Sequence, residues 1–167
     1  MTKVAVLDDY QKVALEMADW KSLPSGTEVT VFKNHLSDEC DVSKRLAEFE
    51  VVSAMRERTP FPKRLLENLP NLKLLVTTGM RNASIDVPAA SKLGITVCGT
   101  EGLGYPTAEL TWGLIVSLAR KISEENSSSR SGSWQTTLGI GLNGKTLGIL
   151  GLGNLGSQVA RIGNAFG

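Results

Sequence analysis

The chain has 167 residues, and 18 lysines and arginines nearly balance 17 aspartates and glutamates to leave a net charge of +1. That balance excludes the basic field by which nucleic acid or an anionic membrane is held, and no apolar run approaches a membrane span. Cys40 and Cys98 have neither zinc-ligand spacing nor disulfide-framework density, and Asp8-Asp9 arrives too early for a secretory leader, so a cytoplasmic globular protein without a metal is expected.

The first stretch, Lys3–Leu7, is apolar and reads as a strand; Tyr10, Val13, Ala14 and Met17 follow at i, i+3, i+4 and i+7, which predicts a helix ending near Pro24-Ser-Gly26. Thr27–Phe32 predicts a second strand, and Val42, Leu46 and Phe49 the helix after it. Val51–Ala54 is a third strand, followed by a helix carrying Pro62, Leu65, Leu66 and Leu69. Lys73–Thr78 is a fourth, Val87–Leu93 a short helix, and Ile95–Cys98 a fifth strand. Strands alternating with helices over short links imply a parallel sheet covered by helices on both faces.

The texture changes at Gly99-Thr-Glu-Gly102-Leu-Gly104-Tyr-Pro106, where a domain boundary is expected. Pro106 suits a helix first turn, and Thr107–Lys121 continues as a helix that is apolar nearly all round, hence expected to be buried on more than one side. Glu124–Ser133, rich in serine, reads as an exposed turn region.

Thr146–Leu150 then predicts a strand, and Leu155, Val159, Ile162 and Phe166 a helix with one apolar face. Between them lies Gly151-Leu-Gly153-Asn-Leu-Gly156. In this G-x-G-x-x-G turn Gly151 permits the tight bend, Gly153 lets backbone approach a pyrophosphate, and Gly156 lets helix and strand pack closely. The N–H groups of Asn154 and Leu155, at the positive end of the new helix, complete the candidate dinucleotide site.

The order of elements resembles the D-isomer-specific 2-hydroxyacid dehydrogenases. The residues that carry the likeness are Thr77-Thr78-Gly79-Met80-Arg81-Asn82 with Ile85-Asp86, the helix from Thr107-Ala108-Glu109-Leu110 to Leu118-Ala119-Arg120, Trp134, and Gly144-Lys-Thr-Leu-Gly-Ile-Leu-Gly-Leu-Gly. The resemblance implies a flavodoxin-like, doubly wound parallel-sheet domain (the substrate domain, 1–102) followed by the first part of a Rossmann dinucleotide-binding domain (103–167). It further implies NAD as cofactor with NADP not excluded, a small anionic 2-hydroxy or 2-keto acid as substrate, and a homodimer in which the crossover helix lies near the twofold contact. The implied reaction moves a hydride between the nicotinamide and C2 of a small D-2-hydroxy acid. The alternative is a dinucleotide-sensing, corepressor-like interaction module.

Within that family, backbone N–H groups of the loop after the fourth strand bind the substrate carboxylate, which assigns Gly79 and Met80. Arg81 departs from the commoner loop and either holds an anionic group of the substrate or pairs with Asp86. The family's catalytic arginine, glutamate and histidine have no counterparts among these residues. Both domains are therefore expected to be incomplete, and the 167 residues by themselves inactive and associated rather than monomeric. His35 reads as a surface histidine, Glu109 as a carboxylate at the positive end of its helix, and Met55-Arg56-Glu57-Arg58 as a solvated charge cluster.

Overall fold

The computed structural model describes Met1–Gly167 and divides into two compact units, Met1–Gly102 and Leu103–Gly167. The first unit holds five parallel strands, β1 (Thr2–Val6), β2 (Thr27–Val31), β3 (Val51–Ala54), β4 (Leu74–Thr77) and β5 (Thr96–Gly99), in the order β2-β1-β3-β4-β5. Val4 pairs with Val51, Val52 with Leu75 and Val76 with Cys98, so the apolar strand residues line up across the sheet.

Three helices, α1 (Glu39–Leu46), α2 (Lys63–Glu67) and α3 (Val87–Lys92), pack side by side. Strand residues two apart share a face, and Ala5, Val52, Ala54 and Leu75 meet Val42, Leu46, Leu65, Leu66 and Ala90 in one core, each almost wholly buried. Local chemistry starts two of these helices: the Asp38 carboxylate accepts from Asp41 N–H, and that of Asp86 from Ala89 N–H with a proline next to the cap. Phe61, fully buried, bridges to Ile85 and ties the start of α2 to the start of α3.

No helix forms over residues 10–24. The Asp9 carboxylate accepts from the N–H groups of Val13 and Ala14, both at 3.1 Å, and Lys12 sits at φ +61°. These break the helical ladder the spacing predicts, and only a 3₁₀ turn at Trp20–Ser22 remains, with Trp20 Nε1 donating to the Ala14 carbonyl. The i, i+3, i+4, i+7 pattern therefore marks a folded-back segment.

The second unit contains α4 (Pro106–Ala119), α5 (Ile122–Arg130) and α6 (Asn154–Ala165). Trp112, buried on α4, stacks on Phe166 at 4.6 Å and donates Nε1 to the Val159 carbonyl, while Gly163 leaves room for the indole and for Leu147. The remaining apolar side chains of α4 are less covered than its composition predicts: Leu110, Leu114 and Leu118 are exposed.

Two further expectations are corrected here. Glu124–Ser133 is largely helical, because α5 runs to Arg130, and Glu125 fastens it by accepting from the N–H and hydroxyl groups of Thr136 and Thr137. Thr146–Leu150 joins no β-ladder, since no neighbouring segment offers it backbone partners.

Candidate functional site

Two loops carry the candidate chemistry, one in each unit. In the second unit Gly151 has φ +87°, a left-handed conformation that glycine adopts without strain. A Cβ at Gly156 would collide with the Gly151 carbonyl and press on Ile149, which is why helix and turn meet so closely. Gly153 caps α6 with no side-chain hydrogen bond, and a Cβ there would meet nothing within 4 Å.

The three glycines thus separate into a turn, a helix-to-turn contact and an open approach. Ser157 makes the first intrahelical hydrogen bond, to the Gly153 carbonyl at 2.9 Å, leaving the N–H groups of Asn154, Leu155 and Gly156 without partners. Unpaired N–H groups at a helix start, beside open space over a glycine, form an arrangement suited to an anion. Gln158 steadies it by donating to the Gly104 carbonyl at 2.8 Å and to Asn154 Oδ1 at 3.3 Å.

In the first unit the loop after β4 is braced from three sides. Asn82 donates to the Arg56 carbonyl and to Thr77 Oγ1, and its own oxygen accepts from Ser84. Arg56 N–H donates to Thr78 Oγ1 at 3.1 Å, which joins the loops after β3 and β4. Gly79, at φ +106°, donates its N–H to Thr100 Oγ1 at 2.9 Å.

That last bond changes which amides the loop offers. Gly79 N–H is engaged, whereas those of Met80 and Arg81 have no partner. Arg81 is exposed and forms no ion pair with Asp86, whose carboxylate caps α3. Its guanidinium faces solvent.

Arg56, Glu57 and Arg58 are exposed, as a solvated charge cluster would be, and two of them also make specific contacts. The Arg56 side chain comes close to Gly79, with Nη1 2.5 Å from where a Cβ would be, so the bare glycine makes room for a cation that also pairs with Glu57 at 3.6 Å. Arg58 stacks over the Tyr10 ring at 4.5 Å and donates to the Asp8 carbonyl at 2.9 Å. His35 is more than a surface residue, since its Nδ1 is 3.0 Å from the buried Asp8 carboxylate, which also accepts from Thr59. Sequence reading missed Arg56, Asn82 and Thr100 as the frame of this loop. Arg56 and Thr100 had a signal in lying just past strand ends, and Asn82 in following the glycine of the loop after β4.

No helix is long and apolar enough to cross a membrane. The five glycine-turn residues Gly151, Gly153, Asn154, Leu155 and Gly156 lie together at the start of α6, and Gly79, Met80 and Arg81 lie together at the carboxyl end of β4.

Residues 112–167 match the family model described as "D-isomer specific 2-hydroxyacid dehydrogenase, NAD binding domain". The hydroxypyruvate reductase of Thermotoga maritima is 34% identical over 168 residues, covering 99% of this chain and 53% of that protein. The glyoxylate reductase of Aeropyrum pernix is 43% identical over 113 residues, which is 62% of this chain and 34% of that protein. Among solved structures, a phosphoglycerate oxidoreductase from Vibrio cholerae superposes with a TM-score of 0.91 at 42% identity, covering 100% of this chain and 54% of the other. The chain spans about half the length of the Thermotoga maritima and Vibrio cholerae proteins.

Proposed function

Because the chain belongs to the D-isomer-specific 2-hydroxyacid dehydrogenase family, we propose that it serves an NAD-dependent oxidoreductase acting on small D-2-hydroxy acids and the matching 2-oxo acids. Residues 1–102 act as the substrate domain and 103–167 as part of the cofactor domain. The observation that carries this reading is the glycine turn. Space over Gly153 and three unpaired N–H groups at the start of α6 fit a pyrophosphate, and the residues match an NAD-binding family model.

The bound nicotinamide supplies the hydride chemistry. This chain's residues bind and orient. Gly151 sets the turn, Gly153 leaves room, and the amides of Asn154, Leu155 and Gly156 face the phosphate charge. In the substrate domain the amides of Met80 and Arg81 take the carboxylate. Gly79 provides the positive-φ bend that aims them, and the Arg56 and Arg81 guanidiniums add positive charge beside it.

A spectrophotometric assay of the protein with NADH and glyoxylate or hydroxypyruvate tests the reading. The 167 residues by themselves are expected to bind NADH without turnover, and a longer protein that carries them together with the family's catalytic arginine, glutamate and histidine is expected to oxidise NADH only when the 2-oxo acid is present; no NADH binding by the first, or no turnover by the second, would overturn the reading.

A further inference from the structure

Where residues 10–24 fold back instead of forming a helix, they border an open-mouthed cavity of about 260 Å³ whose walls include Leu7, Val13, Ala14, Met17, Trp20 and Met55. It lies wholly within the first unit, at the carboxyl ends of β1, β3 and β4. Most polar groups on its walls are already paired. The Asp8 carboxylate is held by Thr59 and His35, that of Asp9 by two backbone amides, and Trp20 Nε1 by the Ala14 carbonyl.

What remains for a ligand is apolar surface, two aromatic rings and the Arg58 guanidinium stacked on Tyr10. Such a lining favours an aromatic group, which gains from edge and face contacts with the rings and from the cation. Size agrees: a dry cavity of roughly 150 Å³ suffices for benzene, so about 260 Å³ holds a benzyl group. The backbone bordering the cavity is strained, with Asp8 and Lys12 both at positive φ, a cost that concentrates at functional sites.

The cavity is bordered by the residues that lead into the loops after β3 and β4. Thr78 lines it and donates to Met55 Sδ at 3.3 Å; Thr78 precedes Gly79, and Met55 precedes Arg56, whose side chain comes close to Gly79. We propose that this cavity takes the side chain of an aryl-substituted 2-oxo or 2-hydroxy acid whose carboxylate is held by the Met80 and Arg81 amides. This rests on the reading of that loop as the carboxylate site. Glyoxylate, with no side chain, leaves the cavity empty.

Calorimetric titration of the protein with phenylpyruvate and with pyruvate tests the assignment. Phenylpyruvate should bind at least tenfold more tightly. Ala14→Phe, which fills the cavity, should abolish that preference while leaving pyruvate unchanged, and Ala18→Phe serves the same purpose from another wall. Met80→Pro, which deletes a loop amide, should weaken both acids. Equal affinities in the unaltered protein, or a preference that survives both filling variants in folded protein, would overturn the cavity assignment while loss of pyruvate binding in Met80→Pro upheld the loop. Binding of both acids unaffected by Met80→Pro would overturn the loop reading and the proposal with it.

Discussion

Leu74–Thr77 and Thr146–Leu150 are two short apolar segments of similar texture, each followed by a glycine-containing loop, and they end differently. The first is β4, paired on both sides, with Leu75 wholly buried. The second has no ladder, and Leu150 is fully exposed. Strand formation belongs to the neighbours as much as to the residues, because backbone N–H and C=O groups are satisfied only by a partner segment. The glycine turn after Thr146–Leu150 nevertheless keeps its shape. Its geometry comes from Gly151 and from the Gly156 contact, both local.

The largest expected effect separates the two segments directly. Leu75→Ala should destabilise the first unit by about 2–5 kcal/mol, read from Trp20 fluorescence in urea, whereas Leu150→Ala should stay within about 0.5 kcal/mol. Equal losses would erase the contrast.

Next in size is Gly153→Val, expected to raise the NAD dissociation constant at least tenfold, about 1.4 kcal/mol, by steric exclusion. The fold should persist, since a Cβ there meets no protein atom. Gly156→Val should instead disturb the turn itself, and circular dichroism with calorimetry distinguishes the two outcomes. If both variants lost only cofactor affinity, the division of labour among the glycines would be wrong.

A smaller, selective effect is expected in the first unit. In a longer protein that carries these residues together with the family's catalytic groups, Arg81→Ala should lower kcat/KM more for a dianionic 2-hydroxy acid than for a monoanionic one, because Arg81 is exposed and the Asp86 carboxylate caps α3 instead of pairing with it. An equal loss for both would make the arginine structural.

The smallest effect concerns how α5 is fastened. Hydrogen bonds from Thr137 and Thr136 hold the Glu125 carboxyl below the usual value of 4.5. A carboxylate lowered in the folded state contributes stability that is complete above its unfolded pKa and is lost as pH falls through the folded one. Amide exchange at Thr137 should therefore show protection that is flat above about pH 5 and declines on further acidification, while Glu125→Gln should show reduced protection throughout. An unchanged profile in Glu125→Gln would detach the loop from this carboxylate.

Much of the first unit was legible because its signals are local. Val51–Ala54 forms the strand its residues predict, and β1, β2, β4 and β5 lie within a residue or two of expectation. The segment after β1 misled because its apolar spacing obeys the helical period while Asp9, outside that pattern, captures the amides a helix needs. The helix α5 was hidden by polar residues whose tether, Glu125 to Thr136 and Thr137, spans a loop. In the candidate site the glycine turn could be read from spacing alone. The state of the Gly79 amide could not, since its partner Thr100 is 21 residues away in sequence, just past the end of the neighbouring strand β5.

The central claim is that the start of α6 holds the cofactor's pyrophosphate, and amide NMR during titration with NAD tests it most directly. The largest shifts should fall on Gly153, Asn154, Leu155 and Gly156 and should vanish in folded Gly153→Val. Saturable NAD binding that leaves these four amides unmoved, or that survives the valine with equal affinity, would contradict it.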